Sequence, residues 1–343
     1  EIINLNKSKL KINSWISDKT IEKVKDHLNK KDQVLFFVNR RGFAPCVLCK
    51  KCLKVHTCPN CSINLVYHKK KENLICHYCG YKTKLNRKCN DNKNCEYVFS
   101  GPGVERICDE VKKIFPDKEI TIFSSDTMNK KSSSEILEKI KNNKIPILIG
   151  TQLISKGFHF PSLNCIVVVD IDLSSQGHDL RGAEKNLQLY HQLSGRAGRA
   201  NKKGLALLQT YQPDHPVMTA ILTGDEEKFW SSEATQRKLA GVPPFGRMAG
   251  IVVSGADLSQ VNTIATQLAI KCEPLKKINA LVYGPADAPI SRIRGRHRIR
   301  LLVKAAIQPQ NWENDALLHF SKSKLCFSLF TTVLVRAAAS TVP

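Results

Sequence analysis

At 343 residues the chain has room for two or three domains of ordinary size, and one hydrophobic core is not expected to absorb it. No apolar run reaches the roughly 18 residues of a membrane helix, and Glu1-Ile2-Ile3-Asn4 lacks the basic start of an export signal, so a cytoplasmic chain with no membrane partner is expected. Its 53 Lys and Arg exceed 30 Asp and Glu, and a formal net charge of +23 draws polyanions, nucleic acid first, unless the lysines only solvate the surface. The first residue is Glu rather than Met, which is read as a start inside a longer gene product.

Along the chain, Val34-Leu35-Phe36-Phe37-Val38 is a continuous apolar run, the pattern of a strand covered on both faces of a parallel sheet. Next comes a cysteine-rich stretch: nine of the 13 cysteines fall between Cys46 and Cys95. With no export signal such thiols stay reduced, which favours metal over disulfides. The spacing is Cys49-x2-Cys52-x5-Cys58-x2-Cys61-x14-Cys76-x2-Cys79-x9-Cys89, with Cys95 six positions further on. Each C-x-x-C turn aims two thiolates at one ion and two turns close a tetrahedral sulfur site, so the eight thiols are expected to hold two zinc ions. Cys46 extends the first pair to a spacing that iron–sulfur clusters use, but the other pairs would then lack a role, and Cys46 is taken as a packing residue. The last pair is not a C-x-x-C, so Cys95 is expected to close its site through a longer loop.

Beyond the cysteines, helical period at 103–115, 132–142 and 183–194 alternates with strand-like runs at Ile120 to Phe123, Ile145 to Ile149, Cys165 to Val169 and Gly204 to Leu208. This alternation predicts an open α/β sheet. The run Gly150-Thr151-Gln152, followed by Lys156-Gly157, leaves a buried strand directly and so belongs at the carboxyl edge, where α/β sheets bind ligands. The stretch from Gln188 to Arg199 ends a helix on Gly195-Arg196-Ala197-Gly198-Arg199. Arginines on such a turn can meet a transferring phosphate, or the turn is merely basic surface.

From Ala220 to Trp230 the pattern changes, and Pro243-Pro244 marks a boundary, since neither helix nor central strand tolerates the pair. Apolar runs at Ala249 to Val253, Ala280 to Tyr283 and Ile299 to Val303, with a helical stretch at 257–272, predict a small α+β domain. In it Arg292, Arg294, Arg296, Arg298 and Arg300 are all even-numbered, and period two places the five on one face of a hairpin turning at Gly295. That face suits a phosphate backbone, or is a solvated edge whose charge blocks aggregation.

These motifs resemble the second motor lobe of superfamily 2 helicases and, more closely, the PriA family of replication-restart DNA helicases. The resemblance runs from about Val34 to about Lys304. It is carried by Phe37-Val38-Asn39-Arg40-Arg41-Gly42-Phe43-Ala44-Pro45 leading into the cysteine insert, Gly101-Pro102-Gly103-Val104-Glu105, Gly150-Thr151-Gln152 with Lys156-Gly157, Asp170-Ile171-Asp172, Asp179 to Glu184, Gln192 to Arg199, Pro243-Pro244-Phe245 and Gly284-Pro285-Ala286. It implies a RecA-like lobe over 1–45 and 99–222, interrupted by a zinc-binding insert at 46–98, with a C-terminal α+β domain at 223–343. Gln192, Arg196 and Arg199 would face ATP and magnesium held by another lobe, and Gly150, Thr151, Gln152, Lys156 and Gly157 would couple that site to DNA. Arg40, Arg41 and Glu105 join the five arginines as the expected DNA-facing set. The resemblance also pairs Cys49 and Cys52 with Cys89 and Cys95, and Cys58 and Cys61 with Cys76 and Cys79. It further implies forked or single-stranded DNA, primosome and replisome proteins as partners, and a place on the nucleoid.

The chain departs from the family at Asn92, which stands where the family has its eighth cysteine, and in its tail beyond Lys304. It contains no G-x-x-x-x-G-K-[ST] loop and no D-E-x-H box, so it is not expected to turn over ATP by itself. Two function classes follow: half of a DNA helicase motor, or a zinc-ribbon module that binds nucleic acid without ATP.

Overall fold

The computed structural model describes residues 1–8, 10–38, 43–69, 72–85, 96–123, 133–151, 160–172, 180–198, 203–306 and the strand at 332–336. They form two compact units, one of Glu1–His56, Asn64–Ile75 and Lys82–Phe229, the other of Thr57–Ile63, Cys76–Tyr81 and Trp230–Pro343.

The first unit runs β1 (Ile2–Asn4), α1 (Asp18–Asn29), β2 (Gln33–Phe37), β3 (Cys46–Cys49), β4 (Val66–His68), β5 (Asn73–Ile75), β6 (Lys82–Lys84), β7 (Tyr97–Ser100), α2 (Val104–Ile114) and β8 (Ile120–Phe123). It continues through α3 (Ser133–Lys141), β9 (Ile147–Gly150), β10 (Leu163–Val168), α4 (Gly182–Ser194), β11 (Leu205–Thr210) and α5 (Pro216–Thr223) into the start of α6 (Glu226–Leu239). Its main sheet has the order β1-β11-β10-β2-β9-β8, and every pairing in it is parallel. The expected open α/β sheet is present, with β2 inside it.

The continuous apolar run of β2 is explained by its two covered faces. Val34, Phe36 and Val38 join Val24 and Leu28 of α1 and Ile107 and Val111 of α2 in one core. Leu35 packs with Ile140 of α3, and Phe37 with Leu187, Tyr190 and Leu193 of α4. The edge strand β1 and helix α1 carry no element in the sequence reading, yet both are fixed tightly. Buried Gln209 of β11 accepts from the Ser17 amide at 2.9 Å and the Thr20 hydroxyl at 2.8 Å, and donates to the carbonyls of Trp15 and Val169 at 2.7 and 2.9 Å. The Ser17 side chain caps α1.

Part of the cysteine-rich stretch belongs with this sheet. Strands β3 and β7 pair antiparallel, as do β4, β5 and β6. Phe43, Tyr67 and Phe99 meet ring to ring, at centroid distances of 4.8 to 6.1 Å. Gly101 has φ +88°, and a Cβ there would lie 2.7 Å from Pro45, so this link needs glycine.

The second unit completes α6 and adds β12 (Gly246–Gly255), α7 (Leu258–Lys271), a 3-10 turn at Glu273–Ile278, β13 (Leu281–Ile293), β14 (Arg296–Ala306) and β15 (Thr332–Arg336). Its sheet is ordered β13-β14-β12-β15. Ile251 and Val253 of β12 and Ile299 and Leu301 of β14 pack on Val261 and Ala265 of α7, the expected α+β arrangement. The edge strand β15 lies in the tail, where the sequence reading identified no element.

Candidate metal centre and sheet-edge residues

Cys58 and Cys61 lie on one tight turn, and Cys76 and Cys79 on another. The Cys58 amide donates to the Ile63 carbonyl at 2.9 Å, the Cys76 amide to the Tyr81 carbonyl at 2.8 Å, and the Gly80 amide to the Cys76 carbonyl at 2.9 Å. Gly80, at φ +79°, closes the second turn in a conformation that favours glycine. The four sulfurs all lie within 4.8 Å of one another, and Cys58 Sγ is 3.6 Å from Cys79 Sγ. Ligands at a tetrahedral Zn–S distance of about 2.3 Å stand about 3.8 Å apart, so sulfurs this close fit zinc with shifts of no more than about 1 Å.

The protonation chemistry agrees. A main-chain hydrogen bond from Tyr81 brings the Cys79 thiol down to about 7, while burial pushes the Cys58 thiol up to about 12. Burial also raises Cys61, against a main-chain hydrogen bond from Arg294. Four thiolates this close need a cation to coexist, and zinc supplies the charge that lets them all lose their protons.

Cys49 and Cys52 sit on a turn of the same design. The Cys49 amide donates to the Lys54 carbonyl at 3.0 Å and the Leu53 amide to the Cys49 carbonyl at 2.9 Å, with Leu53 at φ +55°. Their expected partners, Cys89 and Cys95, lie outside the described residues. Cys46 is a half-buried member of β3, paired with Ser100.

The segments that resemble motor-lobe motifs occupy two edges of the parallel sheet. Gly150 is the last residue of β9 and Thr151 follows it, both buried at the carboxyl edge. The arginine turn lies at the opposite, amino edge. Gly198 donates its amide to the carbonyl of Leu163, the first residue of β10, at 3.2 Å, and a Cβ on Gly204 would lie 2.2 Å from Ala197. The turn is thus clamped between the starts of β10 and β11, with Arg196 half-buried and Gln192 exposed on the last turn of α4. The structure does not bring Gly150 and Thr151 beside Arg196. Gln152, Lys156, Gly157 and Arg199 lie outside the described residues, as do Arg40 and Arg41.

Glu105, in the first turn of α2, is committed elsewhere. Its carboxylate takes the Lys69 amide at 2.8 Å and meets His68 Nδ1 at 3.2 Å, so it braces the end of β4.

The five arginines of the hairpin do not share one face. Residues 294 and 295 form a two-residue turn, with Ile293 opposite Arg296 and Arg292 opposite His297. Next to the turn the paired numbers sum to an odd value, so there an even residue on β13 shares its face with odd residues on β14. Arg296, Arg298 and Arg300 share a face, Arg292 points to the other side with His297, and Arg294 is in the turn. Arg296 donates to the Ser254 carbonyl at 2.8 Å and Arg298 to the Ile290 carbonyl at 3.0 Å, which holds two of the three guanidinium groups in place.

The sequence pattern of the PriA DNA helicase Cys-rich region domain matches residues 58–84, and that of the Primosomal protein N C-terminal domain matches residues 238–324. Replication restart protein PriA of Rickettsia felis is 42% identical over 307 residues, 89% of this chain and 47% of its own length. Over the part it spans, the chain belongs to the PriA family. The Haemophilus influenzae protein of the same name is 35% identical over 85% of this chain and 40% of its own, and the Bacillus subtilis one 32% over 85% and 36%. The chain therefore spans less than half the length of these relatives. A solved helicase, MrfA bound to DNA and AMPPNP, aligns with 66% of the chain and 22% of its own at 16% identity and a TM-score of 0.33, too low to bear on the fold. Family membership rests on sequence, while the α/β class rests on the sheet.

Proposed function

We propose that the chain is the carboxyl-terminal half of an ATP-dependent DNA helicase of replication restart. It supplies the second motor lobe, a zinc-bearing insert and a C-terminal domain. The observation that carries this is identity with PriA relatives through the parallel sheet as well as the cysteine region, 42% over 89% of the chain. A zinc ribbon acting alone gives no reason for that sheet to be retained.

The two sheet edges then divide the work. Gly150, Thr151 and Gln152, with Lys156 and Gly157, face DNA and relay its presence to the nucleotide. Gln192, Arg196 and Arg199 face ATP and its magnesium. No Walker A loop lies among the 343 residues, so the phosphate cradle comes from the part of the relatives that this chain does not span. Glycines at 195 and 198 hold the arginine turn against β10 while its arginines face a partner lobe, where charge develops on the transferring phosphate.

Two zinc ions are held, one by Cys58, Cys61, Cys76 and Cys79, the other by Cys49 and Cys52 with Cys89 and Cys95. DNA, forked or single-stranded, meets Arg40, Arg41, Glu105 and the β14 arginines. Primosome and replisome proteins are the partners, at the nucleoid in the cytoplasm.

The test is an ATPase assay on the full-length protein. Arg199→Ala should reduce DNA-stimulated hydrolysis by about 10³- to 10⁵-fold while zinc content and nucleotide binding stay near those of the unaltered protein. Hydrolysis within a few-fold of unaltered would sink the assignment of this turn to the nucleotide.

A further inference from the structure

The three C-x-x-C turns are closed in two ways. In the Cys49 and Cys76 turns, the residue four positions after the first cysteine has a left-handed backbone and returns its amide to that cysteine's carbonyl. In the Cys58 turn the equivalent residue is Ser62, and its amide goes instead to the Arg292 carbonyl at 2.9 Å. The β13–β14 hairpin finishes this turn.

The hairpin answers with further hydrogen bonds. The Arg292 amide and the Ser291 hydroxyl each lie 2.9 Å from the Ser62 hydroxyl. The Gly295 amide donates to the Asn60 carbonyl at 2.7 Å, and the Arg294 amide reaches Cys61 Sγ at 3.3 Å. The Arg294 guanidinium donates to the Tyr78 carbonyl at 3.4 Å, on the other cysteine turn. Arg294 and Gly295 have φ +51° and +79°, as a two-residue turn with both central residues left-handed requires. That backbone turns the Arg294 amide outward to the sulfur.

We propose that the hairpin tip is the outer shell of this metal site, with the Arg294 amide as donor to the metal-bound Cys61 thiolate, so that metal occupancy fixes the C-terminal hairpin and the hairpin slows metal loss. The inference rests on zinc at the four-thiol site. Outer-shell donors hold a ligand in its binding orientation and charge state. The body of β14 is independently secured, paired with β12 from Gly246↔Ala306 to Gly255↔His297, so only the tip should respond to the metal.

The experiment uses the full chain, zinc-loaded and after chelation, with metal content measured first. Amide exchange at Arg294 and Gly295 should be slow with zinc and at least about tenfold faster without it, while Val253 and Leu301 stay protected. Tip exchange unchanged on metal removal would overturn the coupling alone; absence of zinc from the purified chain would overturn the metal reading and the coupling with it. In a second arm, zinc transfer to the chromophoric chelator 4-(2-pyridylazo)resorcinol should be about tenfold faster for Ser62→Ala. Arg294→Gly, which keeps the amide donor and suits the turn, should stay within a few-fold of the unaltered chain. Equal rates for the unaltered chain and Ser62→Ala, or equal acceleration in both variants, would overturn it.

Discussion

Cys61 carries two roles at once, as one of four converging sulfurs and as the acceptor of a main-chain donor. Its neighbours in the set differ in exposure and hydrogen bonding, yet zinc needs all of them. Cys76→Ser should lower zinc content by about one ion per chain, read by metal analysis of protein purified without added zinc; undiminished zinc would place the ion elsewhere. Gln209 tests a different kind of residue. Its amide is enclosed by Trp15, Ser17, Thr20 and Val169, and Gln209→Leu removes one hydrogen-bond partner from each, leaving the Thr20 hydroxyl with that of Ser17. A stability loss of about 1–3 kcal/mol is expected, visible as a lower urea midpoint, and an unchanged midpoint would mean that water replaces the amide.

At the scale of elements, helices α2, α3, α4 and α7 and the strands of the parallel sheet other than β1 lie within a few residues of their sequence positions, because one apolar stripe or run dominates each, while β13 continues ten residues past its apolar run to Ile293. What was missed had weaker signals. Strand β1 is three residues long, and α1 announces itself only through Ser17 as cap and the spacing of Thr20, Val24 and Leu28, a signal that was there to be used. The arginine row failed for a topological reason: period two holds along a strand but not through a two-residue turn, which shifts the parity of the returning strand. The salt dependence of DNA binding should reflect this. Replacing Arg296, Arg298 and Arg300 with Gln should lower the salt slope by up to about three units, while Arg292→Gln should leave it nearly unchanged. Equal effects from Arg292 and from the β14 set would favour uniform surface charge over a shared face.

For the molecule as a whole, the cysteine spacing revealed the metal chemistry but not which unit each turn joins. Thr57–Ile63 and Cys76–Tyr81 group with the C-terminal residues, while the strands between and around them group with the parallel sheet. Such membership is set by contacts hundreds of residues apart, which no local pattern encodes. The parallel sheet has metal-free cores on both faces, so chelating the zinc should leave its far-ultraviolet dichroism and a cooperative thermal transition in place. Loss of all cooperative unfolding would show that the sheet depends on the metal.

Distance along the chain also becomes delay in time. Ser62 and Arg292 are 230 residues apart, and a ribosome adding residues at about 5–20 per second needs about 10 to 50 s to get from one to the other. For most of that interval, once Cys79 has been made, all four cysteines can take an ion, while the amide that meets Cys61 does not yet exist. A nascent chain thus holds its first metal in a site open on one side, from which a poorly matched ion can still leave. On the proposed coupling, completion of the hairpin slows that exchange, so an ion is replaced more readily during synthesis than in the finished protein.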